Sequence, residues 1–179
     1  IDANKDAGIN KSIIVVPKRF DDFIISNKNL HTVIQKTPKG TGDAVKKAIS
    51  LLNGFEGVVL ICFADTPFIT SKSLKKIAKS FKNGSKLVLT GFKKNEKNKY
   101  GKIIFDNNKK PCQILEYKDA KKNKLVSNFC NGGIMGIHSS CLKDLNKIKK
   151  DPLSGEYYLT DIVKILSNDN KNITFIEID

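Results

Sequence analysis

The first half of the chain alternates short apolar runs with stretches in which apolar residues recur at helical spacing. Residues 58–63 are apolar on both faces, which is typical of a strand buried in a parallel sheet, and a similar run over 12–16 ends at Pro17. Residues 42–52 and 70–82 instead place their apolar side chains at the spacing of an amphipathic helix. Strands and helices that alternate in this way predict a three-layer α/β fold with a mostly parallel sheet and right-handed crossovers.

The remaining elements are predicted in the same way. Residues 103–105 and 112–117 flank a turn at Asn107 and Asn108, which indicates a small β-hairpin. The pattern also predicts strands over 31–35, 86–92, 131–138 and 173–178, and helices over 19–26, 142–148 and 157–166. Because no internal repeat or disordered linker is visible, we expect a single domain over residues 1–179.

Composition adds one question, which is the origin of the positive charge. The 179 residues are 40% hydrophobic and 28% charged, as in an ordinary globular domain, yet the formal net charge is +14. The lysines are scattered over almost every segment, and Arg19 is the only arginine. Nucleic-acid recognition relies on Arg and on a basic face, so we expect no nucleic-acid partner. The charge should still attract anionic substrates to a cleft.

The four cysteines indicate a reducing environment. They form no C-x-x-C pair, and with two histidines in the chain a zinc site is not expected. Cys62 lies in the apolar run at 58–63, so we predict a small core residue there. No apolar run approaches a membrane span and no secretory pattern begins the chain, so we expect a cytoplasmic protein without a membrane partner.

Two features place candidate chemistry at the carboxyl ends of strands, where open α/β sheets bind ligands. The segment 35–45 runs from a strand through a glycine turn into a helix, so Gly40 and Gly42 would let a flat ligand approach the backbone. Asp65 follows the most apolar strand and could hold Mg²⁺ against phosphate oxygens. Taken singly, the first is equally consistent with an ordinary glycine hinge, and the second with a turn or N-cap aspartate.

Taken together, six segments resemble the uridyltransferase domain of bacterial N-acetylglucosamine-1-phosphate uridyltransferases, members of the sugar-phosphate nucleotidyltransferase superfamily. In chain order they are Gln35 with Gly40-Thr41-Gly42, Phe-Ala-Asp-Thr-Pro at 63–67, Tyr-Gly-Lys-Ile at 100–103, Ile-Leu-Glu-Tyr-Lys-Asp-Ala at 114–120, Asn-Gly-Gly-Ile at 131–134 and Gly-Glu-Tyr-Tyr-Leu-Thr-Asp at 155–161. The resemblance implies a Rossmann-like, nucleotide-diphospho-sugar transferase fold whose β-hairpin layer binds the sugar.

The resemblance also implies the role of individual residues. Gln35 and Thr41, with the backbone of Gly40, would read the uracil edge, and Asp65 would be both the catalytic residue and a magnesium ligand. Gly101, Glu116 and Asn131 would hold the sugar. Tyr157 and Thr160 would support the sugar site by packing.

The implied reaction makes UDP-N-acetylglucosamine and pyrophosphate from UTP and N-acetylglucosamine 1-phosphate, with Mg²⁺ as cofactor, to supply cell-wall and lipopolysaccharide synthesis. No Ser/His/Asp or Cys/His set is visible, and phosphoryl transfer needs positioning and charge stabilisation rather than a protein nucleophile. A relative that uses another base or sugar remains an alternative, as does a noncatalytic nucleotide-sugar-binding domain.

The chain also departs from the resembled family. The family's glycine-rich loop with its basic residue would lie upstream of Ile1, and a second metal ligand would lie beyond Asp179. We therefore expect a domain truncated at both ends, whose full-length parent could form a homo-oligomer. Pro38, Lys39 and Asp43 replace residues that are more often Gln, Leu and His, which leaves base selectivity open.

Overall fold

The computed structural model describes residues 2–23, 29–65, 69–94, 98–117, 119 and 127–178. Its strands are β1 Ser12–Pro17, β2 Leu30–Gln35, β3 Val58–Cys62, β4 Leu87–Lys93, β5 Lys102–Phe105, β6 Pro111–Leu115, β7 Phe129–His138 and β8 Ile173–Glu177. Its α-helices are α1 Asp2–Asp6, α2 Thr41–Ile49, α3 Ser71–Phe81 and α4 Asp161–Asn168. Three 3₁₀ helices cover Lys18–Phe23, Ser50–Leu52 and Ser139–Lys147.

A six-stranded sheet in the order β6-β5-β7-β4-β8, with β3 paired to β7, carries the core. Strand β7 is antiparallel to β3, β4 and β5, and β4 is parallel to β8. Strands β3, β4, β5 and β8 therefore all run in one direction, while β6 and β7 run in the other. The predicted α/β class with its hairpin layer, formed by β5 and β6, is confirmed.

Helices cover both faces of this sheet, which gives the three predicted layers. Leu87 and Leu89 of β4 point into a buried cluster with α4, whereas Val88 points into a second buried cluster with α3. This separation follows from the two-residue period of a strand. The α3 helix begins at Ser71, one residue after the predicted start, and Thr70 is its N-cap: the Thr70 hydroxyl accepts a hydrogen bond from the Ser73 amide at 3.2 Å.

Strand β7 kinks at its double glycine, and the kink separates two pairing regions. Residues before the kink pair with β4 and β5, and residues after it pair with β4 and β3. Gly133 has a φ of +74°, which favours glycine, and a Cβ on Gly132 would lie 2.8 Å from Thr90 Oγ1. The extra residues at the register shift lie in β7, and opposite them the buried Thr90 hydroxyl of β4 donates to the Ile134 carbonyl at 2.8 Å, which satisfies a carbonyl at the irregularity.

Strands β1 and β2 form a separate two-stranded parallel sheet in register from Ser12↔Leu30 to Pro17↔Gln35. Within the described residues, β3 pairs on one edge only, with β7. The prediction of a fully buried central strand over 58–63 is therefore wrong, because β3 is half-buried and lies at a sheet edge. For the same reason Cys62 is exposed rather than a core residue.

Three of the predicted helices differ from the observed ones in type or bounds. Residues 18–23 form a 3₁₀ helix with a kink at Phe20, and 24–26 lie outside the described residues. The helix predicted over 142–148 is a 3₁₀ helix over 139–147. The helix predicted from residue 157 begins at Asp161 instead, because the backbone of Tyr157 bonds to the glycine loop before α2. No helix within the described ranges is long and apolar enough to cross a membrane.

Candidate functional site

The glycine loop after β2 lies directly against the segment that precedes α4. The amide of Gly42 donates to the Tyr157 carbonyl, and the amide of Tyr157 donates to the Lys39 carbonyl, both at 2.8 Å. Gly40 has a φ of +95°, and a Cβ there would lie 2.6 Å from the Tyr157 carbonyl oxygen. Gly40 is therefore required both by backbone conformation and by close approach, so the loop is more than a flexible hinge.

Gln35 lies at the carboxyl end of β2, where its side chain reaches the same loop. The residue is buried, and its amide nitrogen donates to Asp43 Oδ2 at 2.7 Å and to the Gly40 carbonyl at 3.4 Å. Thr41 is nearby, and its hydroxyl oxygen accepts a hydrogen bond from the Leu159 amide at 3.1 Å. The three residues predicted to read the base therefore lie together, and both polar side chains also hold the loop in place.

Gly101, Glu116 and Asn131 come together from three different elements. The amide of Asn131 in β7 donates to the Gly101 carbonyl at 2.8 Å. A Cβ on Gly101 would lie 3.7 Å from Glu116 Oε2, so glycine leaves room beside this carboxylate. The Asn131 side-chain oxygen accepts from the Gly133 amide at 3.3 Å, which orients the amide group. The Glu116 carboxylate, the Asn131 side-chain amide and the backbone of Gly101, which carries no side chain, form a polar surface suited to binding hydroxyl groups.

Thr160 connects this surface to the glycine loop. Its hydroxyl is buried and donates to Glu116 Oε1 at 2.8 Å. Three residues earlier in the chain, Tyr157 bonds to the loop through its backbone. The segment 157–160 therefore contacts both groups of candidate residues, a bridging role that sequence reasoning missed and reduced to packing support. The Glu-Tyr-Tyr-Leu-Thr-Asp motif at 156–161 is the part of the sequence that could have indicated this bridging role.

A cleft of about 320 Å³ opens beside Glu116. It is lined by Gln113, Ile114, Leu115, Glu116, Asp119, Lys149, Lys150, Asp151, Pro152, Tyr158 and Asp161. Partial desolvation raises the pKa of the Asp161 carboxyl, and the negative charge of Asp151 raises it further. Gly101 and Asn131 do not line this cleft, so it lies beside the polar surface rather than forming it.

Asp65 lies in an exposed turn after β3. The carboxyl end of β3 is beside the amino-terminal half of β7, which contains Asn131. The Phe63 amide donates to the Gly133 carbonyl at 3.3 Å, which places the chain leading to Asp65 beside the β7 kink. Within the described ranges, no three His, Cys, Asp or Glu side chains form a metal cage. One exposed carboxylate still fits Mg²⁺, which binds through one or two carboxylates together with water and substrate phosphates. Thr66 and Pro67 of the same motif lie outside the described residues.

Replacing Gly40 with Ala is expected to destabilise the fold by at least about 2 kcal/mol, because it adds a strained positive φ and a clash with the Tyr157 carbonyl. Urea unfolding of the wild-type and variant chains measures the difference. Gly84→Ala is the matched control: Gly84 also has a positive φ, of +83°, but a Cβ there meets nothing within 4 Å. Equal losses in the two variants would show that backbone strain, and not packing against Tyr157, accounts for the effect.

The chain is similar in sequence to known nucleotidyl transferases. The family model described as Nucleotidyl transferase matches residues 5–179. The bifunctional protein GlmU of Bartonella bacilliformis is 39% identical over 152 residues, covering 84% of this chain and 34% of that protein. The protein of the same name from Clostridium tetani is 33% identical over 178 residues, covering 97% of this chain and 39% of that protein. The chain thus spans little more than a third of the length of these curated relatives.

A solved structure supports the fold. A UDP-glucose pyrophosphorylase, solved in complex with UDP-glucose, superimposes with a TM-score of 0.76 over 98% of this chain and 76% of its own, at 16% sequence identity. The two chains therefore share their fold. Because the family model also spans nearly the whole chain, the protein belongs to the nucleotidyl transferase family.

Proposed function

We propose that this chain is the central part of a longer sugar-1-phosphate nucleotidyltransferase, which makes UDP-N-acetylglucosamine and pyrophosphate from UTP and N-acetylglucosamine 1-phosphate. The observation that carries the proposal is the meeting of Gly101, Glu116 and Asn131 next to the strand end that leads to Asp65. The curated relatives named bifunctional protein GlmU, which this chain matches at 39% and 33% identity, support a sugar-phosphate nucleotidyltransferase.

In the proposed reaction, a phosphate oxygen of the sugar phosphate attacks the α-phosphorus of UTP. A new P–O bond forms while the bond to the β-phosphate oxygen breaks, and its electron pair leaves with pyrophosphate. Glu116 and Asn131 bind the sugar hydroxyl and N-acetyl groups, which fixes the direction of attack. The glycine loop with Gln35 and Thr41 binds the uracil.

Asp65 is the residue that would hold Mg²⁺, which would neutralise phosphate charge when bound. All four cysteines are free, which agrees with a reducing, cytoplasmic location for an enzyme that uses UTP.

The test is pyrophosphate release by a version of the protein that extends beyond residues 1–179 at both ends. UTP, CTP, dTTP and GTP would each be assayed with N-acetylglucosamine 1-phosphate, glucose 1-phosphate and mannose 1-phosphate. We expect the highest kcat/KM with UTP and N-acetylglucosamine 1-phosphate. A higher value for another pair would assign a different base or sugar, whereas binding of nucleotide sugar without turnover would indicate a noncatalytic binding domain.

A further inference from the structure

The amide group of Gln35 is held by two acceptors at the end of β2. Gln35 is 8% exposed, and its Nε2 donates to Asp43 Oδ2 at 2.7 Å and to the Gly40 carbonyl at 3.4 Å. The short contact is the one to Asp43, which lies in the first turn of α2. Asp43 therefore has a stronger influence on the amide than the loop backbone does.

The chemistry of the two partners determines which way the amide points. A backbone carbonyl can only accept a hydrogen bond, and an ionised carboxylate can only accept as well. Rotating the amide by 180° would place its oxygen against both acceptors, which is repulsive. The NH₂ group of Gln35 must therefore face Asp43, and its carbonyl oxygen must face the opposite direction.

That carbonyl oxygen is not fully buried. No hydrogen bond to Gln35 Oε1 is found in the described part of the chain, where no fully buried side-chain oxygen or nitrogen lacks a partner.

Uracil and cytosine differ at the ring position that a side-chain carbonyl oxygen of this kind can recognise. Uracil offers a ring N–H between two carbonyl oxygens, whereas cytosine offers a ring nitrogen acceptor next to an amino group. We propose that Asp43 is a positioning residue that fixes the Gln35 amide, so that its carbonyl oxygen accepts from the uracil N–H and disfavours cytosine. This inference rests on the proposed function, in which this loop binds the base.

The test compares UTP with CTP in the longer protein, by the KM of each in pyrophosphate release and by the dissociation constant of each from calorimetry. Asp43→Asn retains an acceptor for Gln35, so we expect the wild-type preference for UTP to survive. Asp43→Ala removes the closer acceptor and leaves the Gly40 carbonyl at 3.4 Å, which holds the amide far less firmly, so the preference should fall by about tenfold or more. Asp43→Lys offers only donors, which should turn the carbonyl oxygen inward and shift the preference towards CTP.

Two controls separate this role from a structural one. Glu56→Gln removes an exposed carboxylate from the loop before β3, outside the segment 35–45, and its UTP-to-CTP ratio should equal that of the wild type. Gln35→Ala should lower the ratio as far as Asp43→Ala does, because both act through one amide. Thermal melting of every variant shows whether a lost preference merely reflects unfolding.

An unchanged UTP-to-CTP ratio in folded Asp43→Ala would overturn the inference while leaving the proposed function intact. If Asp43→Ala does not fold, Asp43→Lys replaces it in the test. An unchanged UTP-to-CTP ratio in folded Asp43→Lys would also overturn the inference. A wild-type protein that shows no preference for UTP over CTP would overturn both the proposed uridyltransferase function and the role of Asp43.

Discussion

In the longer protein, Asp65→Asn is expected to lower kcat at least about a hundredfold, because the loss of a metal ligand removes several kcal/mol of transition-state charge stabilisation. The fold should be unaffected, since the exposed Asp65 side chain makes no hydrogen bond or ion pair with the described residues. The Mg²⁺ concentration needed for half-maximal rate should rise as well. Steady-state pyrophosphate release across a Mg²⁺ titration, together with thermal melting, measures all three quantities.

Glu56→Gln is the matched control for Asp65→Asn. Glu56 is also an exposed carboxylate next to β3, but it precedes the strand and therefore lies at the opposite end from Asp65. Neutralising it should change neither kcat nor the dependence on Mg²⁺. If the activity of Asp65→Asn lay within about threefold of the wild type, Asp65 would not be a metal ligand and would serve only as a turn residue.

Glu116→Ala is expected to raise the KM for the sugar phosphate by roughly 10- to 150-fold, the range for a lost hydrogen bond to a charged group. The KM for UTP should change little, because the residues proposed to bind the base are Gln35, Gly40 and Thr41, and Glu116 is not one of them. Initial rates with each substrate varied in turn separate the two constants. If both rose equally, Glu116 would be a scaffold residue that supports the whole site.

The bond from Thr160 to Glu116 provides a way to separate binding from positioning. Thr160→Val removes the hydroxyl that donates to Glu116 Oε1 but leaves the carboxylate in place. If Glu116 contacts the sugar directly, the sugar-phosphate KM should rise far less in Thr160→Val than in Glu116→Ala. Equal increases would mean that the orientation imposed by Thr160 is what the sugar site requires.

Much of the fold could be predicted from local patterns in the sequence. The apolar run of β4, which is buried on both faces, and the helical spacing of apolar residues over 71–81 are both local properties of one element. Motif segments likewise identified residues that the structure brings together, among them Gly101, Glu116 and Asn131. Whether these residues bind a sugar remains a prediction.

The errors fall where distant parts of the chain meet. The start of α4 was placed too early because the backbone of Tyr157 bonds to Lys39 and Gly42, a contact between segments far apart in sequence. Cys62 was expected in the core because apolar neighbours do not show whether a strand has partners on both edges. Such contacts leave no periodic signal in either segment.

The sequence by itself therefore determined the order of the elements, the α/β class and the identity of the candidate residues. Only the tertiary structure decided that Gln35 is held by Asp43, and that Thr160 connects Glu116 to the segment bound to the glycine loop. Hydrophobic periodicity reports the burial of a residue, which is a local property of its element. The direction of a buried amide or carboxylate depends instead on its hydrogen-bond partners, and these are chosen by how the whole chain packs.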